Sequence, residues 1–227
     1  MNSEETPIEA IHLIDKPLTW TSFDVVRKIR NITRIKKTGH AGTLDPLATG
    51  LLIVCQGKAT KQIESIQNAP KEYTGIICIG QTTASYDLES EPTEAVSISH
   101  ITEDIVHKAI QLFIGEITQT PPIYSAVKVD GQRAYDLARQ GLSPEIKSRV
   151  VTITDFQITK LDLPDIHFLV KCSKGTYIRS LANDVGQALG VGAYLKELRR
   201  TKIGNYSIEN AITPEEFQNL HKKPGNV

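Results

Sequence analysis

Two long stretches in which apolar and polar residues alternate, "RVVTITDFQITKLDL" (149–163) and "DIHFLVKCSKG" (165–175), follow each other with almost no chain between them. Alternation with a period of two is the pattern of a strand with one buried face. A chain carrying a long strand pair of this kind must build a sheet and find something to cover it. "IHLIDKP" (11–17) reads as a short strand stopped by Pro17, and "LLIVCQG" and "YTGIICIG" read as buried strands. Helical spacing fills the intervals. "TSFDVVRKIRNI" places Thr21 and Asp24 at capping-box spacing, with Phe23, Val25, Val26 and Ile29 inward and the basic residues outward. "TEDIVHKAIQLFIG" is a helix capped by Thr102, with Gly115 just past its end. Asp130-Gly131 marks a hairpin turn, and "RAYDLARQG" is a short helix closed by Gly141. "YIRSLANDVGQALG" is a helix, and a further helical stretch ends in "LKELRR". Helices interrupt the strands without a regular βαβ rhythm. The expected class is therefore α+β, a central mixed, largely antiparallel sheet flanked by helices in one continuous domain.

The chain of 227 residues has no apolar run approaching the ~20 residues that span a bilayer. Its start, "MNSEETPIEA", lacks the basic and apolar segments of an export signal. Cys55, Cys78 and Cys172 are far apart with no C-x-x-C pair, which fits a reducing compartment and three small buried side chains. Formal net charge is zero, but the charge is segregated. Residues 27–37, "RKIRNITRIKK", hold six basic side chains and no acid; residues 171–202 hold seven against Asp184 and Glu197. Such clusters suit phosphate contacts whose strength falls with salt.

Several catalytic patterns fail. "GKAT" at 57–60 lacks the glycine that a phosphate-binding loop places five residues earlier, where this chain has Leu52. Gly39 and Gly42 do not form a dinucleotide fingerprint, and Asp45 has no metal-ligand companions at a recognised spacing. The stretch "GHAGTLDPLATG" (39–50) is what remains: one carboxylate, Asp45, followed by Pro46 and surrounded by Ala41, Gly42, Ala48 and Gly50. Small neighbours let a bulky substrate approach. Taken alone the loop fits either an Asp-Pro turn or an isolated nucleophile. Tyr73 heads a strand in "KEYTG", where its ring can stack on a base or fill the core. Tyr177 and Arg179 lie two apart after a glycine turn, on one side if the backbone is still extended there.

"GHAGTLDPLATGLLIVCQGKATK", "KEYTG", "TPPIYSAVKVDGQRAYDLARQG" and "CSKGTYIRSLANDVGQALGVGAYLKELRR" together resemble the bacterial tRNA pseudouridine-55 synthases of the TruB type, in order and spacing from about Ile11 to Ile203. The resemblance implies the pseudouridine synthase fold over residues 1–205, with an RNA-gripping insertion at 121–149. Residues 206–227 are then a short C-terminal tail without the PUA domain that many relatives carry. It implies Asp45 as the catalytic nucleophile, Tyr73 as the tyrosine stacked on the target base, and Arg179 as the guanidinium paired with the catalytic aspartate. Tyr177 and Leu198 match residues lining the uracil pocket. His40 matches the histidine beside the flipped nucleotide, and Lys16 a lysine on the strand entering the site. Lys128, Arg133, Arg139, Arg199 and Arg200 are implied RNA contacts, and Asp87 an acid of loosely defined role. The implied reaction isomerises uridine 55 of the tRNA T arm with no cofactor and no metal. The implied enzyme is a cytoplasmic monomer with tRNA as its partner, no membrane and no obligate protein partner.

Three departures stand out: Thr19 where the family usually has glycine, Ala84 and Ser90 within "TASYDLES", and the early end of the chain. The first implies a different turn after "DKP". The basic clusters alone equally serve an RNA-binding or tRNA-folding module, or the same activity on another T-arm-like RNA.

Overall fold

The computed structural model describes residues 9–222 except 126, 130 and 143; the side chains of 128, 133, 138 and 139 also lie outside the description. The chain divides into two compact units, Met1–Glu72 with Arg199–Val227, and Tyr73–Leu198.

In the first unit the organising element is β3 (Ala48–Gly57), buried along nearly its whole length. Its side chains divide by parity. Leu52 and Val54 meet Ile14 of β1 (Glu9–Lys16), Val25, Val26 and Ile29 of α1 (Ser22–Thr33), and Phe217 of α6 (Pro214–Leu220). Leu51, Ile53 and Cys55 meet Ala59, Ile66 of α2 (Ile63–Asn68) and Ile203 of β10 (Ala193–Ile203). A strand covered on both faces shows a continuous apolar run and no alternation, as "LLIVC" does. β1 pairs antiparallel with β3 from Glu9↔Gly57 to Lys16↔Gly50; β2 (Thr38–His40) pairs with its C-terminal half. The Thr21/Asp24 capping box is present. Phe23, expected to face inward, is 59% exposed, because the buried stripe runs through Ser22, Val25, Val26 and Ile29. Residues 206–220 add β11 (Tyr206–Ser207), a single 3-10 turn and α6.

In the second unit the strand order is β10, β4 (Lys71–Ile79), β9 (Asp165–Cys172), β8 (Arg149–Asp162) and β5 (Gly115–Gln119). The long pair is an antiparallel hairpin closed at Asp162↔Asp165, with irregularities between Ile153 and Asp155 and between Ile158 and Lys160. The first switches the buried parity from Val151 and Ile153 to Phe156, whose ring meets Phe168 edge-on at 5.9 Å. α3 (Glu103–Gln111) packs on β8 and on α5 (Ile178–Leu189). Its cap is Thr102 as expected, but Gly115 opens β5 instead of closing the helix. A small hairpin of β6 (Lys128–Val129) and β7 (Gln132–Arg133) precedes α4 (Ala134–Arg139).

Antiparallel ladders with parallel bridges at Ile14–Ile212 and Asp87–Leu195 give the expected mixed, largely antiparallel α+β class. One element is corrected. The segment containing "LKELRR" is β10, not a helix. Leu, Lys, Glu and Arg favour helix by roughly tenths of a kcal/mol each, and burial of Ala193, Tyr194, Leu195, Arg200 and Ile203 in a strand with neighbours on both sides outweighs that.

At Gly50, φ is +99° and an added Cβ would lie 2.4 Å from the Arg200 carbonyl oxygen. Gly50→Ala should cost about 3 kcal/mol or more, combining backbone strain with overpacking. At Gly115, φ is +105° with open space around it, so Gly115→Ala isolates the strain at about 1–2 kcal/mol. Urea unfolding of both variants checks this; equal losses would mean that the close approach at Gly50 is relieved cheaply.

Candidate active site

The loop that carries Asp45 is fixed from three directions inside the first unit. From α1, the Ser22 hydroxyl donates to the Leu44 carbonyl (3.1 Å) and accepts from the Leu44 amide (2.9 Å). From β1, the fully buried Lys16 ammonium donates to the carbonyls of Pro17 (2.9 Å), Trp20 (2.6 Å) and Pro46 (3.3 Å). From β10, Arg200 donates through Nε to the Leu51 carbonyl (2.8 Å) and through its terminal nitrogens to Thr43 (3.3 Å) and Gly42 (3.1 Å). The Ala48 amide closes the Asp45-Pro46 turn on the Asp45 carbonyl (3.1 Å). Asp45 itself is half-buried.

Burial pulls the Lys16 ammonium down from 10.5 to about 8; Asp45 pulls the other way, and Arg200 adds to the depression. Burial likewise holds the His40 imidazole below its ordinary range, with Arg200 again adding. His40 is therefore neutral at physiological pH. Thr19 stands in the turn after "DKP". It adopts φ +69°, in the region that favours glycine, and its amide donates to the Pro46 carbonyl (2.9 Å).

In the second unit Arg179 is 4% exposed, on the first turn of α5. Its Nε lies 3.5 Å from an Asp87 oxygen, and its terminal nitrogens donate to the carbonyls of Ser85 (3.3 Å) and Tyr124 (3.0 Å). The Ser90 hydroxyl accepts from the Ser85 amide (2.8 Å), so this departure supplies a loop-holding group. Because α5 begins at Ile178, Tyr177 and Arg179 are not placed on one side by strand alternation. Gln119 grips the start of the helix instead, donating to the Tyr177 carbonyl (3.1 Å) and accepting from its amide (2.8 Å). The Arg149 guanidinium stacks 4.8 Å from the Tyr177 ring centroid.

The structure thus gathers Asp45, His40, Lys16, Arg199 and Arg200 in one unit, and Tyr73, Tyr177, Arg179 and Leu198 in the other. Arg200 is corrected. At 1% exposure and with three carbonyls to hold, it positions the loop and is withdrawn from phosphates. Arg199 makes a two-pronged contact with Asp15 (3.0 and 2.7 Å). Lys128, Arg133 and Arg139 fall on β6, β7 and α4, with side chains outside the described residues. Ser22, Gln119 and Arg149 were missed. No sequence signal separates Ser22 from Phe23 as the inward residue at the start of α1.

Two outcomes follow from this geometry. Thr19→Gly removes about 1–2 kcal/mol of left-handed strain and adds about 0.5–1 kcal/mol of chain entropy, so a net gain near 0.5–1 kcal/mol is expected in thermal unfolding. No gain would mean that the turn tolerates threonine. For Lys16 the unfolded chain holds its proton up to about 10.5 and the folded one only to about 8. Wild type should therefore gain stability relative to Lys16→Met as pH rises through that window. A constant difference across it would contradict the depressed value.

The model of the TruB family pseudouridylate synthase N-terminal domain matches residues 30–178, and that of the tRNA pseudouridylate synthase B C-terminal domain matches 179–224. The protein named tRNA pseudouridine synthase B of Flavobacterium johnsoniae is 53% identical, over 93% of this chain and 96% of that relative. Its namesake in Phocaeicola vulgatus is 50% identical, over 89% of each. Among solved structures, the chain matches one in the archaeal box H/ACA sRNP Nop10-Cbf5 complex (TM-score 0.69, 29% identity). It also matches one in an H/ACA RNP bound to a substrate RNA containing 2'-deoxyuridine (TM-score 0.70, 29% identity). These alignments cover 93% and 92% of this chain but about half of those chains, 53% and 52%. The protein belongs to the TruB family of pseudouridylate synthases.

Proposed function

We propose that the chain is a tRNA pseudouridine synthase that isomerises uridine 55 of the T arm, with Asp45 as nucleophile. The observation that carries this reading is a half-buried carboxylate on a loop locked through its backbone, in a chain of this family. The Asp45 carboxylate attacks C1′ of the ribose and the N1–C1′ bond breaks, leaving the electron pair on uracil. The base turns, C5 bonds to C1′ as the carboxylate leaves, C5 loses its proton and N1 gains one. Covalent catalysis of this kind splits one difficult substitution into two.

The base must first leave its stack, which needs ring and apolar walls around it. Tyr73, Tyr177 and Leu198 take that role, neutral His40 lies beside the displaced nucleotide, and Arg179 keeps the carboxylate ionised. Lys128, Arg133, Arg139 and Arg199 are RNA contacts in this reading. Residues 1–205 act as the catalytic domain with 121–149 as the RNA-gripping insertion. The enzyme works as a cytoplasmic monomer; among the described residues no helix is long and apolar enough to cross a membrane.

Asp45→Asn tests the assignment. The loop anchors named above use backbone groups, so the variant should fold as wild type and bind tRNA within about threefold. Pseudouridine formation at position 55 should fall by at least about a thousandfold. Mapping modified uridines in tRNA after incubation with each protein reads both quantities. Retained turnover would remove Asp45 as the nucleophile, and modification confined to another uridine would move the substrate site.

A further inference from the structure

α1 has one buried stripe, Ser22, Val25, Val26 and Ile29, and a second, exposed stripe beside it. Phe23, Arg27 and Arg30 follow at i, i+4 and i+7 and are exposed; Arg34, which ends the helix in a left-handed conformation, and Lys36 and Lys37 extend the exposed charge just beyond. The compensation is uneven. Asp24 pairs with Arg27 (2.7 Å), and Gln218 accepts from Lys28. Among the described residues no acid forms an ion pair with Arg30, Arg34, Lys36 or Lys37.

In a chain with equal numbers of acidic and basic residues, this concentration does not follow from overall charge. The helix dipole favours Arg30 in the last turn, but it does not reach Lys36 and Lys37 beyond the helix end. Like charges one turn apart repel by a few tenths of a kcal/mol. Phe23 adds an exposed ring that gains nothing in water. Next to the stripe an open groove of about 310 Å³ is lined by Thr19, Trp20, Asp24, Arg27, Lys28 and Asn31. Cations in a row beside an indole and a phenyl ring match a polyanion whose bases offer flat faces.

We propose that the outer face of α1, from Phe23 to Lys37, is a second RNA-contact surface, holding substrate RNA backbone outside the segment engaged by the Asp45 loop. The surface rests on the RNA substrate assigned under the proposed function. Its position supports it: Ser22, the first residue of α1, is bonded to Leu44 beside Asp45. The twelve-residue helix carries the charges about 18 Å away from that point. An RNA with a uridine at Asp45 brings its flanking phosphates into this range.

The test compares two variants that each lose four charges. One is Arg30→Gln/Arg34→Gln/Lys36→Gln/Lys37→Gln; the other is Lys58→Gln/Lys61→Gln/Lys108→Gln/Lys160→Gln, at exposed positions elsewhere. Affinity for full-length tRNA is measured across a salt series. The α1 variant should bind at least about tenfold more weakly near 0.1 M salt, with the log–log salt slope lower by about 2–4. The control should change by less than about threefold, and single-turnover pseudouridine formation at saturating tRNA should be unchanged in both. Equal losses in the two variants overturn the proposal. So does unchanged tRNA affinity in the α1 variant combined with lost binding to phosphatidylserine vesicles. If wild type binds tRNA without modifying it, the proposed activity fails while the affinity comparison still decides the role of the surface.

Discussion

Arg200 is the constraint on which the first unit depends. An isolated guanidinium taken out of water costs several kcal/mol, and no carboxylate repays it in the contacts seen. Three backbone carbonyls do so, two before Asp45 and one after it. The exchange is mutual, because Gly42 and Thr43 lie in the loop before β3, outside its ladder, and present carbonyls that need donors, while Leu51 adds one from β3. The same closeness forces glycine at position 50, where no side chain fits against the Arg200 backbone.

Arg179 solves a similar problem in the second unit by different means. It is almost as buried, yet it lies at ion-pair distance from Asp87 and holds the carbonyls of Ser85 and Tyr124. Asp87 is in turn occupied by the Glu89 amide (3.0 Å), and Leu195 pairs with the backbone beside it through the Tyr86 carbonyl. The guanidinium is thus set by a folded loop, and that loop is itself held by Ser90. The departure from the family pattern at Ser90 changes how the loop is tied while Asp87 stays buried beside Arg179.

Local chemistry was legible in the sequence wherever it is self-contained. The capping box of α1 and the Thr102 cap depend on neighbours within a few residues, whereas Asp130 of the expected hairpin turn lies outside the described residues. Properties set by distant chain were not. β10 carries helix-forming residues and is a strand because of what lies on either side of it. Phe23 fits an apolar helical stripe as well as Ser22 does, and only the packing shows that the small hydroxyl faces inward. "TPEEF", which reads as an acidic cluster, contains a second capping box between Thr213 and Glu216 and buries Phe217. Arg200, an RNA contact by resemblance, is buried, and the reason is the same: charge is visible in a sequence, and burial is not.

The anchors of the Asp45 loop share one property that bears on chemistry. Ser22 holds Leu44, Lys16 and the Thr19 amide hold the Pro46 carbonyl, Ala48 holds the Asp45 carbonyl, and Arg200 holds Gly42 and Thr43. Every one of these grips main chain. The named contacts act on the loop's main chain, while the Asp45 charge helps Lys16 keep its proton. For the nucleophile proposed above, such main-chain support fixes the position from which the carboxylate attacks. The cost falls on the residues around it, which accept a left-handed threonine, a buried ammonium and a glycine that nothing can replace.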